Sequence, residues 1–177
     1  MINVEITKVE ASELIALQAI SRKTFEEAFS ADNSEEDMSL YLTDSLSIEQ
    51  LQKEFDKQHS AFYFAKVEDE IAAYLKVNYY QEMVEGIDYK ALEIERIYVL
   101  KKFQGNKIGQ LLFNKALELA KSFGANKLWL GVWEKNYKAI GFYEKNGMKA
   151  FNRKLFLLGN DEQTDIMMKL DLKSNIE

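Results

Sequence analysis

The segment with the clearest chemical potential lies between a predicted strand and a predicted amphipathic helix. It runs Phe103-Gln104-Gly105-Asn106-Lys107-Ile108-Gly109. Backbone N–H groups at the start of a helix, together with the positive end of the helix dipole, bind phosphate or pyrophosphate. The spacing matches neither a Walker loop, which ends in Gly-Lys-Ser/Thr, nor the dinucleotide fingerprint G-x-G-x-x-G. The segment therefore predicts a phosphate-binding turn of another kind, or else only a glycine-containing turn.

Asn136 and Tyr143 are the next candidates, because a helix predicted over residues 136–146 places them on one face. They are separated by about two helical turns, roughly 10 Å along the axis. Such a face can lie along an extended ligand. Two structural interpretations stay open beside this one, since Asn136 is also a suitable N-cap and Tyr143 can simply pack next to Phe142.

The remaining candidates are charged or titratable. Glu95 interrupts an apolar strand, so its carboxylate either faces solvent at a sheet edge or lines a cleft, because burying an unpaired charge is costly. His59 follows a predicted helix end, where a cation suits the helix dipole, and we exclude it from the site. A last acidic group either forms the solvated start of a helix or attracts a polycation. Its members are Asp32, Glu35, Glu36 and Asp37.

Composition narrows the class of function. The 177 residues can bury one core and are too few for two ordinary domains, so we expect a single domain over residues 1–177. The chain has no cysteine and one histidine, which excludes disulfides, thiolate nucleophiles and Cys-based or His-rich metal sites. The net charge of −6 argues against a general nucleic-acid binder and is compatible with a cationic substrate.

The sequence gives no indication of a membrane protein. No apolar run approaches the roughly 20 residues that a membrane-spanning helix needs. Residues 1–10 lack the basic and apolar regions of a signal peptide. We therefore expect a cytoplasmic protein with no membrane partner.

The elements that must position these candidates begin with a strand, three helices and a strand pair that suggests an antiparallel hairpin. The strand covers residues 3–9, the helices cover 11–29, 34–42 and 47–58, and the hairpin strands cover 61–67 and 71–79. Ser12, Ser34 and Ser47 are the expected N-caps, because acidic residues follow each within the first turn. A polar stretch over residues 81–90 then interrupts the sheet.

The second half alternates strands and helices. Strands are predicted at 91–100, 127–133, 148–158 and 164–172, helices at 107–123 and 136–146, and a loop at 159–163 joins the last two strands. The first of these helices has an apolar stripe that includes Ile108, Leu112 and Phe123, so it packs on a sheet. The order of elements predicts a mixed α/β sheet with helices on both faces.

Several segments of the second half resemble the core of the GNAT superfamily of N-acetyltransferases. They are Leu92-Glu93-Ile94-Glu95-Arg96-Ile97-Tyr98-Val99, the glycine segment, Trp129-Leu130-Gly131-Val132-Trp133-Glu134-Lys135-Asn136 and Ala139-Ile140-Gly141-Phe142-Tyr143. The resemblance is specific over about residues 91–148 and extends to the whole chain in the order of elements. It implies an α/β fold with a mixed, mostly antiparallel twisted sheet and helices on both faces. It also implies acetyl-CoA as cosubstrate, with no metal.

The resemblance also assigns roles to residues. Backbone groups of Ile97 and Val99 are expected to pair with the pantetheine arm, as a ligand strand added to the sheet. Asn136 is expected to touch the cofactor, and Tyr143 to protonate the departing CoA thiolate. Lys107 departs from the superfamily pattern Gln/Arg-x-x-Gly-x-Gly/Ala; its side chain restricts the backbone and crowds the anion but brings a positive charge. The full expected cofactor-binding set is Ile97, Tyr98, Val99, Gln104, Gly105, Asn106, Lys107, Ile108, Gly109, Gln110, Asn136, Tyr143 and Lys145.

Within the superfamily, the sharper resemblance is to bacterial spermidine/spermine acetyltransferases. It rests on Glu-Arg-Ile-Tyr at residues 95–98, the tryptophan-containing segment at 129–136 and Asp161-Glu162-Gln163-Thr164-Asp165. It implies direct transfer of acetyl from acetyl-CoA to a primary amine of a small polyamine. Such an amine has a pKa of about 10 and arrives protonated, so a base or a water chain must take its proton; we assign that role to Glu95, directly or through water.

Other acceptors and a different class of protein stay open. The acceptor amine could instead belong to a protein, a peptide or an aminoglycoside. A further alternative is an acyl-CoA-binding sensor without turnover. The expected partner is a small-molecule amine rather than a nucleic acid or a membrane, and a homodimer is also left open.

Overall fold

The computed structural model describes residues 2–80, 86–87 and 90–172, and its elements follow the predicted order. The strands are β1 (Val4–Lys8), β2 (Ser60–Val67), β3 (Glu70–Tyr80), β4 (Ala91–Val99), β5 (Lys127–Trp133), β6 (Lys149–Leu158) and β7 (Asp161–Asp171). The helices are α1 (Leu14–Phe29), α2 (Glu35–Asp44), α3 (Ile48–Phe55), α4 (Ile108–Phe123) and α5 (Tyr137–Lys145). Short 3-10 turns lie at Ala11–Glu13, Ser30–Asp32 and Lys101–Phe103. Much of the predicted polar stretch, residues 81–85 and 88–89, lies outside the described residues.

The strands form one seven-stranded sheet in the order β1-β2-β3-β4-β5-β7-β6. Neighbouring strands are antiparallel, except that β4 and β5 are parallel. A parallel pair such as β4 and β5 needs a crossover connection, because a hairpin joins only antiparallel strands. Helix α4 makes this connection. The predicted mixed, mostly antiparallel sheet is confirmed.

Helices cover both faces of the sheet, as predicted. On one face α4 packs Ile108, Leu112 and Ala116 against β3, β4 and β5. These residues recur every four positions and form the apolar stripe of the helix, and full burial of a leucine such as Leu112 contributes about 1.5–3 kcal/mol. On the other face α1 packs Leu17 and Ile20 against aromatic side chains of β2 and β3.

An extra residue in β4 lies at the position of the predicted base. Val77 of β3 pairs with Ile94, whereas its neighbour Lys76 pairs with Arg96, so Glu95 has no partner of its own in the ladder. Such a β-bulge reverses the faces on which the following side chains lie. The face that each side chain of β4 occupies therefore cannot be obtained by simple alternation from Ala91 to Val99.

The parallel pairing of β4 with β5 is short. It runs from Ala91 opposite Lys127 to Glu93 opposite Trp129. Beyond Glu93, no further pair between these two strands is found among the described residues. The strands diverge there, in the middle of the sheet.

Two of the three expected helix caps are confirmed. Ser34 and Ser47 each accept a hydrogen bond from a backbone N–H of the first helical turn. Ser12 is not an N-cap, because the chain enters α1 through a 3-10 turn that contains it. The cap of that turn is Glu10, whose backbone N–H donates to Glu13 Oε2 at 3.1 Å.

The last two strands are joined more tightly than the sequence suggested. Gly159 and Asn160 alone connect them, in place of the predicted loop over 159–163. Gly159 has φ of 60°, which glycine adopts without strain, so the chain reverses within the turn and Asp161 already pairs with Leu158.

Candidate active site

A cleft of about 1260 Å³ opens where β4 and β5 diverge. Its lining includes residues 94–99 and 130–133, the start of α4 and one side of α5, together with parts of α1 on the opposite face of the sheet. It therefore passes between the two strands and has a border on each face. Most of the predicted site residues line it, namely Glu95, Ile97, Tyr98, Val99, Gln104, Gly105, Lys107, Ile108, Gly109, Gln110, Asn136 and Tyr143.

Asn106 and Lys145 do not line the cleft. Asn106 is exposed, and its Nδ2 donates to the Phe103 carbonyl at 3.1 Å, which shapes the turn from within. Lys145 is exposed in the last turn of α5. The structure thus brings together all but these two of the residues predicted for the site.

The glycine segment forms the entry into α4. Lys107 has left-handed backbone, with φ of 63° and ψ of 11°, a conformation that glycine adopts at lower cost. Lys107 is also the N-cap of α4, and its side chain makes no capping hydrogen bond to the first turn. A Cβ on Gly109 would approach only Val99, at 3.9 Å, so the space beside the turn is open. Uncapped N–H groups and an open space fit a diphosphate.

Two cationic side chains lie in or beside this turn. Lys107 belongs to the turn and Lys138 contacts it, whereas Lys135 lines the cleft with its Nζ 5.9 Å from the centre of the Trp133 ring. Lys138 Nζ donates to Gln104 Oε1 at 2.9 Å, and Gln104 Nε2 donates to the Val99 carbonyl at 3.2 Å. The sequence reasoning missed Lys138, although its place in the first turn of α5 beside Asn136 was a usable signal. The positive charge of this group complements a phosphate.

Tyr143 borders the cleft from α5, with 7% of its surface exposed. Its ring contacts Phe113 and Phe142, with centroids at 6.4 and 5.4 Å. Burial raises the pKa of Tyr143 above its ordinary value, so the phenol keeps its proton at neutral pH and can donate it. Asn136 is the N-cap of α5, because its Oδ1 accepts from the Ala139 N–H at 3.2 Å, and it lines the cleft as well.

Glu95 lies in a network of charges on the α1 face. Its carboxylate accepts from Lys76 Nζ at 2.6 Å and from Asn78 Nδ2 at 2.5 Å, and Arg96 lies 3.6 Å away. Of the two environments that the sequence left open, a sheet edge and a cleft, the structure places Glu95 in the cleft. The β-bulge accounts for this position, since it lets Glu95 and Arg96 reach the same group of partners.

Glu54 of α3 binds both cations of the network. Arg96 donates to its two oxygens at 2.7 and 3.2 Å, and Lys76 Nζ lies at 2.7 Å. Burial alone would raise the pKa of Glu54, but the two cations outweigh it and lower the pKa from 4.5 to about 2. Glu54 is therefore ionised throughout the physiological range, and it fixes the side chains beside Glu95.

Glu93 differs from its neighbours because its partners are neutral. It is 6% exposed, and its Oε2 accepts from Tyr80 Oη at 2.8 Å and Asn78 Nδ2 at 2.9 Å. No lysine or arginine nitrogen among the described residues lies within 4.0 Å of it. The three carboxylates of the network, Glu54, Glu93 and Glu95, thus meet only the two cations that bind Glu54 and Glu95. Within this network, carboxylates therefore outnumber cations by one, three to two.

The acidic C-terminal motif also reaches the cleft. Gln163 and Asp165 line it from β7, and Lys154 lines it from β6. Burial raises the pKa of Asp165, and the nearby charge of Lys154 lowers it in part. A Cβ on Gly131 would lie 2.8 Å from Lys154 Cε and 3.3 Å from Asp165 Oδ2, so the glycine makes room for both side chains.

The acidic group near α2 divides into two parts. Asp32 lines the cleft, whereas residues 35–37 form the first turn of α2 outside it. Asp37 accepts from Ser34 Oγ at 2.7 Å and from the Asn160 N–H at 2.8 Å, which ties α2 to the β6–β7 turn. Residues 35–37 therefore form the start of a helix, as one of the two interpretations predicted. Of this acidic group, Asp32 is the member that lies where it can act on a ligand in the cleft.

Comparison with known proteins identifies this arrangement. The model of the Acetyltransferase (GNAT) family matches residues 17–148. The chain belongs to this family. An uncharacterized N-acetyltransferase of Lactobacillus delbrueckii subsp. lactis is 41% identical over 169 residues, which are 96% of this chain and 98% of that protein. A putative ribosomal protein bS18-alanine N-acetyltransferase of Bacillus subtilis (strain 168) is 36% identical over 76 residues, which are 42% of this chain and 50% of that protein.

A solved structure agrees in fold. The PaiA N-acetyltransferase of Thermoplasma acidophilum, in complex with coenzyme A, has a TM-score of 0.78 and 21% identity, covering 96% of this chain and 99% of that one. The predicted GNAT fold, N-acetyltransferase class and acetyl-CoA cosubstrate are therefore confirmed at the level of the family. Within the described residues, no group of His, Cys, Asp and Glu side chains could hold a metal ion, and none of the helices there is long and apolar enough to cross a membrane.

Proposed function

We propose that this GNAT acetyltransferase transfers acetyl to a primary amine of a small polyamine such as spermidine or spermine. The observation that supports a cationic acceptor is Glu93, a buried carboxylate on the cleft whose described partners are neutral. Burying a charge without a counter-charge is costly, and an ammonium group of the substrate would remove that cost. The net charge of −6 also favours the approach of a cationic substrate, over longer distances.

The cofactor, in this proposal, enters on the α4 face. The first-turn N–H groups of α4 and the side chains of Lys107 and Lys138 would bind its diphosphate. Backbone groups of Ile97 and Val99 would pair with the pantetheine arm, since β4 has no β5 partner beyond Glu93. Acetyl-CoA supplies an activated thioester, and the chain supplies its orientation.

Transfer then needs three proton movements. The amine nitrogen attacks the thioester carbonyl carbon, a C–N bond forms, and the C–S bond breaks as the tetrahedral intermediate collapses. Glu95, directly or through water, accepts the proton that the ammonium must lose. Tyr143 donates its phenolic proton to the departing sulfur, and the second proton that the nitrogen loses on becoming an amide returns through water to the Tyr143 oxygen. The Asn78 amide bridges Glu95 and Glu93, so the proton acceptor and the buried negative charge are held side by side.

The rival acceptor is the amine of a peptide or protein. The similarity to a putative ribosomal-protein alanine N-acetyltransferase supports it, but over 42% of the chain only. An aminoglycoside acceptor and a non-catalytic sensor have no specific observation in their favour. The single-domain organisation, the cytoplasmic location and a homodimer remain predictions.

Release of free CoA thiol from acetyl-CoA tests the proposal. Spermidine and spermine should exceed n-butylamine and an alanine-initiated peptide in kcat/KM. The preference should weaken as salt rises, because charge attraction is screened over a Debye length of about 8–10 Å near physiological ionic strength. Glu93→Gln should lower kcat/KM for spermidine and leave the KM for acetyl-CoA unchanged, with Glu36→Gln as the exposed control. Faster turnover of the peptide than of spermidine would refute the polyamine assignment and leave the acetyltransferase class intact.

A further inference from the structure

A connected group of six aromatic side chains lines the cleft on its α1 face, and their rings have no role in the mechanism above. They come from five elements: Phe25 and Phe29 of α1, Tyr41 of α2, Tyr98 of β4, Trp133 of β5 and Phe156 of β6. We call this set the aromatic wall. All six belong to one hydrophobic cluster, separate from the cluster that contains α4 and Tyr143.

The rings of the aromatic wall are continuous. Phe25 stacks on Tyr41 with centroids 4.1 Å apart, and Tyr41 reaches Phe156 at 5.8 Å. Phe25 also contacts Phe29 at 4.6 Å, and Phe29 reaches Trp133 at 6.1 Å. The contacts therefore extend across the cleft from β6 to β5 without a break.

The aromatic wall is not an ordinary closed core. Trp133 and Phe156 are only partly buried, and all six side chains border open space. Apolar surface that lines a cavity favours an apolar part of a ligand, because its contact with water is removed on binding. This surface suits an acceptor with an apolar segment as well as a charge.

Carboxylates adjoin two neighbouring members of the aromatic wall, Tyr98 and Phe29, whose ring centroids lie 6.2 Å apart. Near Tyr98, the preceding residues of β4 include Glu93 and Glu95. Near Phe29, the following 3-10 turn ends at Asp32, which is exposed, lines the same cleft and has no ion pair among the described residues. An apolar surface with carboxylates on two of its neighbouring elements complements a molecule whose cationic groups are joined by an apolar chain.

We propose that the aromatic wall binds the methylene chain between two ammonium groups of the acceptor, and that Asp32 receives the distal ammonium. This inference rests on the proposed function and specifies it further: the acceptor is a linear aliphatic diamine or polyamine. A branched sugar amine or a peptide backbone would place polar groups against the rings, where their hydrogen bonds would be lost.

The first test uses a series of n-alkylamines of increasing chain length. Each added methylene should raise kcat/KM of the parent about fourfold until the aromatic wall is covered, since burying one CH₂ contributes about 0.8 kcal/mol. Trp133→Leu should flatten this dependence, mainly through KM, and leave the KM for acetyl-CoA unchanged. Phe156→Leu is the second variant, and thermal unfolding checks that each variant folds. A parent kcat/KM that does not depend on chain length would overturn the inference.

The second test isolates Asp32. Asp32→Asn should lower kcat/KM for putrescine about two- to fivefold, the range of an exposed ion pair, and leave n-butylamine unchanged. Glu36→Gln, from the same acidic group but outside the cleft, should change neither. If putrescine and n-butylamine lose activity equally, Asp32 does not bind the distal ammonium.

The two tests also separate this inference from the proposed function. A parent enzyme that acetylates no polyamine refutes both. A parent that acetylates polyamines, with Trp133→Leu, Phe156→Leu and Asp32→Asn all within twofold of it, refutes the aromatic wall alone.

Discussion

The side-chain amides of Gln110 and Asn146 exchange two hydrogen bonds. Gln110 Nε2 donates to Asn146 Oδ1 at 2.8 Å, and Asn146 Nδ2 donates to Gln110 Oε1 at 3.2 Å. Gln110 lies in the first turn of α4, next to the proposed phosphate site, and Asn146 ends α5, close to Tyr143. This pair therefore fixes the distance between the group that orients the cofactor and the group proposed to protonate its sulfur.

Asn146→Ala should lower both stability and turnover. The variant loses the two bonds to Gln110 and a third to the Phe142 carbonyl at 2.9 Å. We expect the free energy of unfolding to fall by about 1–3 kcal/mol, since part-buried partners are left unsatisfied. Chemical denaturation with turnover measured in parallel is the check. Asn114→Ala is the matched control, because Asn114 accepts from the same Gln110 on the exposed side of α4. Equal losses in both variants would contradict a positioning role for the amide pair.

Tyr143→Phe should separate chemistry from packing. The ring contacts with Phe113 and Phe142 are kept, and the hydroxyl has no hydrogen-bond partner among the described residues. Stability and CoA binding should therefore stay near the parent values, while kcat falls by about 10²–10⁴-fold if Tyr143 is the general acid. Steady-state kinetics at saturating acceptor decides this. A kcat within about twofold of the parent would mean that water supplies the proton, and a change confined to KM would make Tyr143 a binding residue.

Much of the fold was predictable because its signals are local. The apolar stripe of α4, the caps at Ser34 and Ser47 and the glycine entry into α4 all lie within a few residues of sequence. The sequence reasoning therefore placed nearly every helix and strand, and most of the residues that line the cleft on the α4 face.

The residues on the acceptor side of the cleft could not be predicted from local sequence signals. Glu54, Lys76 and Arg96 come from three separate elements, and nothing near each one in sequence indicates that they meet. The β-bulge at Glu95 adds a second obstacle, because it breaks the alternation from which facing side chains are inferred. The aromatic wall likewise gathers residues from five elements that look like ordinary core positions. The one usable signal was the spacing of Glu93 and Glu95 in a strand otherwise rich in apolar residues.

Lys107 allows charge and backbone strain to be tested separately. Lys107→Gln keeps a side chain in the left-handed region, with φ of 63°, but removes the positive charge. Lys107→Gly removes both the charge and the strain, which is about 1 kcal/mol for a non-glycine residue. Both variants should bind CoA about two- to fivefold more weakly by calorimetry, as expected for one charge at a helix N-terminus. Only Lys107→Gly should match or exceed the thermal stability of the parent. Lys121→Gln is the remote control and should bind CoA as the parent does. If Lys107→Gln also binds CoA as tightly as the parent, the phosphates do not lie beside Lys107.

Because of Glu54, the free energy of unfolding should fall at acidic pH. Its pKa is lowered from 4.5 to about 2 in the folded protein by Arg96 and Lys76, so the folded state binds this proton less readily than the unfolded state does. The resulting stabilisation, about 3 kcal/mol, is complete above about pH 5 and is lost as the pH falls towards 2. Glu54→Gln should be less stable at pH 7, because two buried cations lose their partner, and its stability should fall less steeply between pH 5 and 3. Urea denaturation across this range measures both effects, with the exposed Glu36→Gln expected to follow the parent. A variant whose stability falls as steeply as the parent's would show that Glu54 is not the group that titrates.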